Sequence, residues 1–437
     1  MKHEPAPSGR QVSGCRVLYE AMMEGSRWYA DWSINNSRVI LRRRWLLILL
    51  TLPILVFAGL EMANAQDLPQ IIGGKAAYAP SFATMQMFVV SLLIGMVAGL
   101  ITGCIGAGGG FILTPALMSV GVRGIMAVGT DMFHIFAKAI MGATLHSKMG
   151  NVNIPLALIF LVGSLAGATA GGLLQRTLYE ANPALSDAFI SLVYVFILGF
   201  IGFFTMNDFL KSRRERADAS AHAKAEITRI AQRMQAMRLP PYVRFDFDVT
   251  PGGRQLSIWP IILSGLVVGK IAAIMGVGGG FVVFPTFVYL LGVSTFTTVG
   301  TDIFQIIFTA GYTAITQYAV YGFVFYTLAM GLLLGSLIGI QIGAITTKVV
   351  PGIYIRGFFA VTVIGGFLNR LFALPAALNG AGYTEFSSTT VMISDWLSFY
   401  TFFSIVGVFA IWVIYSFIRG IPKIRSGELD AQQDSVH

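Results

Sequence analysis

Charge is what this chain has least of. Only 12% of its 437 residues are Asp, Glu, Lys or Arg, against 55% hydrophobic, where a soluble domain carries about a quarter charged residues. A water-solvated globule is therefore excluded. Cysteine is scarce too: Cys15 and Cys104 are far apart, and Cys104 sits in an apolar run, so no disulfide framework is expected and Cys104 reads as packing. Acidic residues number 21 and basic ones 30, a net charge of +9. The basic residues border hydrophobic segments, which is the positive-inside bias and not a nucleic-acid footprint. No phosphate loop, nucleophile–base pair or metal-ligand motif is present, so neither an enzyme nor a cofactor is expected. The largest polar stretch, 207–257, is too small for a folded sensor domain.

What the chain does have, it has twice. Gly106-Ala107-Gly108-Gly109-Gly110-Phe111, then Pro115, then Gly129-Thr130-Asp131, returns as Gly276-Val277-Gly278-Gly279-Gly280-Phe281, Pro285 and Gly300-Thr301-Asp302. Gly163-Ser164-Leu165, Gly167 and Gly171 return as Gly335-Ser336-Leu337, Gly339 and Gly343. Apolar runs of about 20 residues, enough for a bilayer core of about 30 Å, surround both copies. A duplicated membrane unit broken by glycine at matching places is the pattern of a secondary transporter.

The expected fold is an all-α polytopic membrane protein of two inverted-topology repeats with short, broken helices at the glycine motifs, plus extra N- and C-terminal membrane segments. Residues 1–65 form an N-terminal extension: Arg42-Arg43-Arg44 precedes the apolar run Trp45–Leu60, and Ala63-Asn64-Ala65 resembles a cleavage site. It is either an uncleaved anchor or a leader whose true start is Met22 or Met23. Repeat 1 covers 86–206, with apolar segments at 86–104, 111–122, 125–147, 154–175 and 186–206. Repeat 2 covers 258–372, with segments at 258–276, 281–293, 297–320, 325–347 and 353–372. An extra segment, 396–418, and a tail, 419–437, complete the chain. Segments 111–122 and 281–293 are either half-helices paired with their predecessors or short tilted crossings; the parity is odd in both cases, which inverts the repeats. The linker 207–257 holds ten Lys or Arg, and the tail adds Arg419, Lys423 and Arg425, so both belong in the cytoplasm of a bacterial-type inner membrane. The stretch 375–395 has neither Lys nor Arg and faces the other side. Ile227, Ile230, Met234 and Met237 predict a short amphipathic helix in the linker, ended by Pro240-Pro241.

Ionisable groups inside membrane segments mark function by default. Asp131, His134, Lys138, Gly142 and His146 fall within roughly 120° on one helix face. The matching stripe is Asp302, Gln305, Thr309, Thr313 and Gln317. The first stripe is chargeable and the second mostly neutral, so one repeat couples protons through Asp131 and His134, with Asp302 as the counterpart, while the other selects substrate. Glycine runs leave backbone N–H groups uncrowded, and helices starting at Phe111 and Phe281 would aim positive dipole ends at an anion. The anion-binding candidates are therefore Gly106, Gly108, Gly109, Gly110, Gly276, Gly278, Gly279, Gly280, Thr130, Thr301, Gln305, Lys138 and Lys270. Two duller roles stand beside these. Thr130 or Asp131, and Thr301 or Asp302, suit the cap of the helix that follows, and Lys270 suits snorkelling to the interface or pairing with Asp302. Arg123 and Arg370 are weaker candidates.

These duplicated Gly-x-Gly-Gly-Gly-Phe and Gly-Thr-Asp motifs, over about 86–420, resemble the TauE/SafE sulfite exporter (anion permease) family. The resemblance implies a multi-helix inner-membrane carrier of sulfite, sulfonates or another small sulfur or carbon anion; the residues themselves add protons, through Asp131 and His134, and the lipid bilayer as partners, and no nucleic acid. The competing reading is a divalent metal cation transporter using Asp131 and His134. Against it, His134 and His146 lie about 18 Å apart along a helix, and Lys138 between them would repel the ion.

Overall fold

In a bilayer the backbone has no water to bond to, so an apolar chain must satisfy its N–H and C=O groups internally. This one does so with helices. A computed structural model describes residues 85–105, 109–148, 152–215, 229–237, 239–246, 253–350 and 352–426. The N-terminal extension and its anchor segment, most of the tail, and Gly106 and Gly108 of the first glycine block lie outside the described residues.

The elements are α1 (Met85–Ile105), α2 (Gly110–Ser119), α3 (Gly124–Lys148), α4 (Ile154–Ala181), α5 (Pro183–Glu215), α6 (Arg229–Gln235), the hairpin β1 (Tyr242–Phe245) and β2 (Arg254–Ser257), α7 (Ile258–Met275), α8 (Gly280–Pro285), α9 (Thr295–Tyr312), α10 (Tyr326–Val349), α11 (Gly352–Gly380) and α12 (Ser388–Ser426). The protein is an all-α multi-pass membrane protein: among the described residues seven helices, α1, α4, α5, α7, α10, α11 and α12, are long and apolar enough to cross. α3 and α9 are dilute in apolar residues because they carry the polar stripes. α8 continues as a π-helical turn over Thr286–Leu291, and α9 as another over Thr313–Tyr318. Several boundaries differ from expectation: α4 runs on to Ala181, α5 runs on into the linker to Glu215, α11 runs on through Pro375 to Gly380, and α12 spans Ser388–Ser426, with Ser387 Oγ accepting the Thr390 N–H at 3.2 Å.

Lipid gives helices no hydrophobic reason to associate, so close backbone packing through small residues does the work. Gly95, Gly99 and Gly103 of α1 lie on the backbone of Leu332, Ser336 and Ile340 in α10, and Gly335 and Gly339 lie on Leu92 and Met96 in return. Gly163 and Gly167 of α4 meet Ile262 and Leu266 of α7, while Gly265 and Gly269 meet Phe160 and Ser164. Residue numbers rise together in both seams, so the first helix of each repeat lies parallel to the fourth of the other. Equivalent helices pack the opposite way. Gly199, Gly202 and Phe209 of α5 meet Phe367, Ile364 and Gly357 of α11, and Gly129 and Phe136 of α3 meet Tyr318 and Gly311 at the α9 end. Numbers rise along one helix as they fall along the other, which makes both pairs antiparallel.

The linker differs from its sequence pattern. In α6 it is Ala231 that is fully buried, with Met234 packed against the core, whereas Ile230 and Met237 are exposed. Ile227 lies outside the described residues. The unforeseen β1–β2 hairpin supplies Asp246, whose carboxylate accepts the Ser294 N–H (2.8 Å) and hydroxyl (2.7 Å) at the start of α9. Arg254 and Gln235 donate to the Gly292 carbonyl at 2.9 and 3.4 Å. The linker thus grips the turn between α8 and α9.

If the glycine seams hold the repeats together, bulk there should separate them. A Cβ at Gly167 would fall 2.8 Å from both Leu266 C and Lys270 N. Gly167→Leu is expected to lower the unfolding midpoint in detergent by the equivalent of about 1–3 kcal/mol or more. Gly407→Leu on α12, where a Cβ meets nothing within 4 Å, is expected to leave the midpoint unchanged.

Candidate functional site

Both glycine breaks end up against each other. A Cβ at Gly110, the first residue of α2, would lie 3.0 Å from Val277 Cα, and one at Gly276 would lie 2.8 Å from Thr114 Oγ1. The Phe111 and Phe281 rings stack at 4.6 Å. In the second block Gly276, Gly278 and Gly279 have φ of 77°, 66° and 99°, a left-handed backbone that excludes a side chain at little cost only for glycine. Gly109 lies beside Ala98 and Thr102, so the chain doubles back from α1 into α2. Tyr194 and Tyr318 hold the carbonyls that precede the second break, donating to Met275 O (2.5 Å) and Ala273 O (2.6 Å).

The charged stripe faces this junction. Asp131 and His134 are fully buried on α3, with Asp131 Oδ1 3.5 Å from His134 Nδ1. Thr114 Oγ1 of α2 lies 3.2 Å from Asp131 Oδ2 and donates to it. His134 Nε2 sits 2.9 Å from Ser336 Oγ of α10. Lys138 Nζ lies 3.5 Å from Thr102 Oγ1, the same hydroxyl that a Cβ at Gly109 would meet at 3.0 Å.

The second stripe makes its own chain on α9. Gln305 Nε2 donates to Asp302 Oδ1 (3.0 Å), Thr309 Oγ1 donates to Gln305 Oε1 (2.8 Å), and Thr309 and Ser164 of α4 share a bond of 3.0 Å. A Cβ at Gly279 would lie 3.6 Å from Gln305 Nε2. Each chain therefore starts from an Asp and ends on the serine of the Gly-Ser-Leu motif in the opposite repeat.

Thr130 and Thr301 do not cap their own helices, because α3 and α9 begin about two turns earlier. Each instead accepts a backbone N–H from the other half of the molecule: Phe325 N–H to Thr130 Oγ1 (2.9 Å), Asn153 N–H to Thr301 Oγ1 (3.0 Å). Phe325 and Asn153 are the N-caps of α10 and α4. Lys270 is exposed on α7, and among the described residues no ion pair joins it to Asp302. Arg370 is buried, donating to Pro115 O (3.2 Å) and Ser119 Oγ (2.8 Å) toward the C-terminal end of α2, where a cation complements the helix dipole. Arg123 pairs with Asp187 at 3.3 Å on the α3 entry. The side chain of His146 is outside the described residues.

Sequence reasoning overlooked Thr114, Thr102 and the two motif serines as polar partners. Ser164 and Ser336 were visible as a matched pair within the glycine-rich repeat. Thr114 carried a signal too, since Phe284 stands in its place in the second copy.

Comparison with known proteins agrees with this architecture. The model of the family described as Sulfite exporter TauE/SafE matches residues 91–369. The chain is similar to the probable membrane transporter protein YjnA of Bacillus subtilis, 28% identical over 262 residues, covering 59% of this chain and 89% of that one. A probable membrane transporter protein of Xylella fastidiosa is 24% identical over 265 residues, covering 60% and 85%. Sulfite exporter TauE/SafE family protein 3 of Arabidopsis thaliana is 27% identical over 169 residues, covering 37% of this chain and 35% of its own. No solved structure matches.

The threonine geometry separates helix holding from ligand binding. Thr130→Val and Thr301→Val each remove one acceptor of a backbone N–H, so each is expected to cost about 1–3 kcal/mol of stability. Ligand affinity in the surviving folded fraction should change less than twofold. Full stability with weakened affinity would return both residues to the binding site.

Proposed function

Because the chain belongs to the sulfite exporter TauE/SafE family of membrane transporters, we propose that it is a secondary-active, proton-coupled exporter of small anions such as sulfite or an organosulfonate. The observation that carries the reading is the meeting of the two glycine breaks, Gly110 against Val277 and Gly276 against Thr114, with Thr102 Oγ1 the shared neighbour of Gly109 and the Lys138 ammonium. A small oxyanion needs N–H donors and positive charge out of water. The backbone of Gly109 and Gly110 at the start of α2, the backbone of Gly276, Gly278, Gly279 and Gly280, the Gln305 amide and the Lys138 ammonium would offer both, with Gly106 and Gly108, outside the described residues, as the further candidates from the sequence. Lys270 would serve at the approach to the site. Asp131 and His134 are the proton-coupling pair, with Asp302 as the second repeat's counterpart.

We read the two repeats as inverted. Equivalent helices packing antiparallel, with the crossed pairs α1–α10 and α4–α7 parallel, is what five segments of alternating direction give when the second set is turned over. The basic linker then lies in the cytoplasm with the C-terminus, in a bacterial-type inner membrane, and the site lies between the repeats near the midplane. The divalent-metal reading gains no support: among the described residues no group of three or more His, Cys, Asp or Glu could hold a metal, and Lys138 shares the stripe.

The test is flux by the purified protein in proteoliposomes, offering sulfite, sulfate, sulfoacetate, taurine and acetate with and without a pH gradient. One sulfur oxyanion should move, accelerated by the gradient. Asp131→Asn should abolish the pH dependence. Unchanged pH dependence in that variant would remove Asp131 from coupling; no anion flux with movement of a divalent metal would overturn the substrate class.

A further inference from the structure

The hydrogens around His134 are fixed by their neighbours. Ser336 Oγ donates to the Leu333 carbonyl at 3.0 Å, so its proton is spoken for and it faces His134 Nε2, 2.9 Å away, with a lone pair. With Ser336 donating to Leu333 the shared proton comes from the ring and Nε2 is the N–H, an assignment made from the hydrogen-bond network. In a neutral imidazole Nδ1 then carries a lone pair, and it faces Asp131 Oδ1 at 3.5 Å. Both of those atoms are buried, and among the described residues neither has a hydrogen-bond partner. Asp131 Oδ2 already accepts from Thr114. Two lone pairs facing each other in a dry site repel, and a single proton between them turns the repulsion into a charge-assisted bond.

We infer that Asp131 and His134 form a one-proton site whose tautomer is set from the opposite repeat by Ser336, a positioning residue. The proton bonds Asp131 Oδ1 to His134 Nδ1 when the site is loaded and leaves from between them when it empties; no other bond changes. Ser336 belongs to α10, the helix that packs along α1, and reaches α3 across a sequence separation of 202 residues. Any movement of α10 against α3 stretches the Ser336–His134 bond, frees the ring to change tautomer and alters its hold on the proton. That is a direct link between a conformational change and protonation.

The other groups around the pair do not take over this role. Lys138 lies on the same helix and is turned to Thr102 of α1. Tyr194 of α5 and Tyr318 at the end of α9 spend their protons on backbone carbonyls. Asp302 of α9 is held by Gln305, and α2 contributes Thr114. For the second repeat's chain the matching serine, Ser164 on α4 of the first repeat, meets Thr309, which does not titrate. Ser164 is thus a packing control built into the molecule.

The inference rests on the proton-coupled reading for its transport arm and on geometry alone for its spectroscopic arm. In protein labelled with ¹⁵N-histidine, the His134 signals are those lost in His134→Asn, one of five histidines. Wild type should give the Nε2–H tautomer when the ring is neutral, and Ser336→Ala should move it toward Nδ1–H. In proteoliposomes Ser336→Ala should shift the proton concentration for half-maximal flux by roughly tenfold, one hydrogen bond's worth. Ser336→Thr, which keeps the hydroxyl, should restore both readouts, and Ser164→Ala should leave the pH profile in place. An Nδ1–H tautomer in the wild type would overturn the inference even if Ser336→Ala failed to fold. So would a wild-type profile in Ser336→Ala, or an equal shift in Ser164→Ala. A wild-type flux indifferent to pH would sink the coupling reading, and the tautomer would then decide this one.

Discussion

Every backbone polar group in a bilayer needs a partner within the protein, and this requirement organises the molecule. Ordinary helices meet it turn by turn. The two glycine blocks break it on purpose, and the fold responds by burying the breaks against each other and assigning partners to what they expose. Tyr194 and Tyr318 take carbonyls before the second break. Thr130 and Thr301 take the N–H groups at the starts of α10 and α4. Glycine seams then let α1 and α10, and α4 and α7, approach to backbone contact, which is the attraction available when lipid is as apolar as the helices themselves.

That scaffold is nearly symmetric, and its chemistry is not. Each repeat runs a polar chain from an Asp to the other repeat's motif serine. In the first the chain passes through His134, with Lys138 one turn further on; in the second it passes through Gln305 and Thr309. The first half gathers Asp131, His134 and Lys138 at the shared junction, while the second sets Asp302 among the fixed dipoles of Gln305 and Thr309.

Much of this was legible in the sequence because duplication exposes it. Matched glycine blocks gave the breaks, and steps of three and four gave the stripes that α3 and α9 carry. The helix spans followed from apolar length. Contacts that cross the repeats were not legible. Ser336 looked like a small residue in a packing motif, and nothing local said that it would sit on His134. Thr130 and Thr301 looked like caps because the start of α3 carries no capping side chain of its own, and at α9 the true cap, Ser294, which accepts the Thr297 N–H at 3.3 Å, was passed over. The β1–β2 hairpin was missed because four-residue strands of mixed polarity have no readable period, and the α6 stripe misled because Ala231, small and unremarked, takes the buried position.

The central claim is that the two glycine breaks and Lys138 make one anion site. Equilibrium binding of sulfite to the purified protein in detergent, by calorimetry beside the Lys138→Met variant, tests it most directly. The account predicts one saturable site in the wild type and at least tenfold weaker binding in a variant that keeps its unfolding midpoint, a loss of about 1.4 kcal/mol or more. Equal affinity in the two proteins, or saturable binding of a divalent metal with none of the anion, would contradict it.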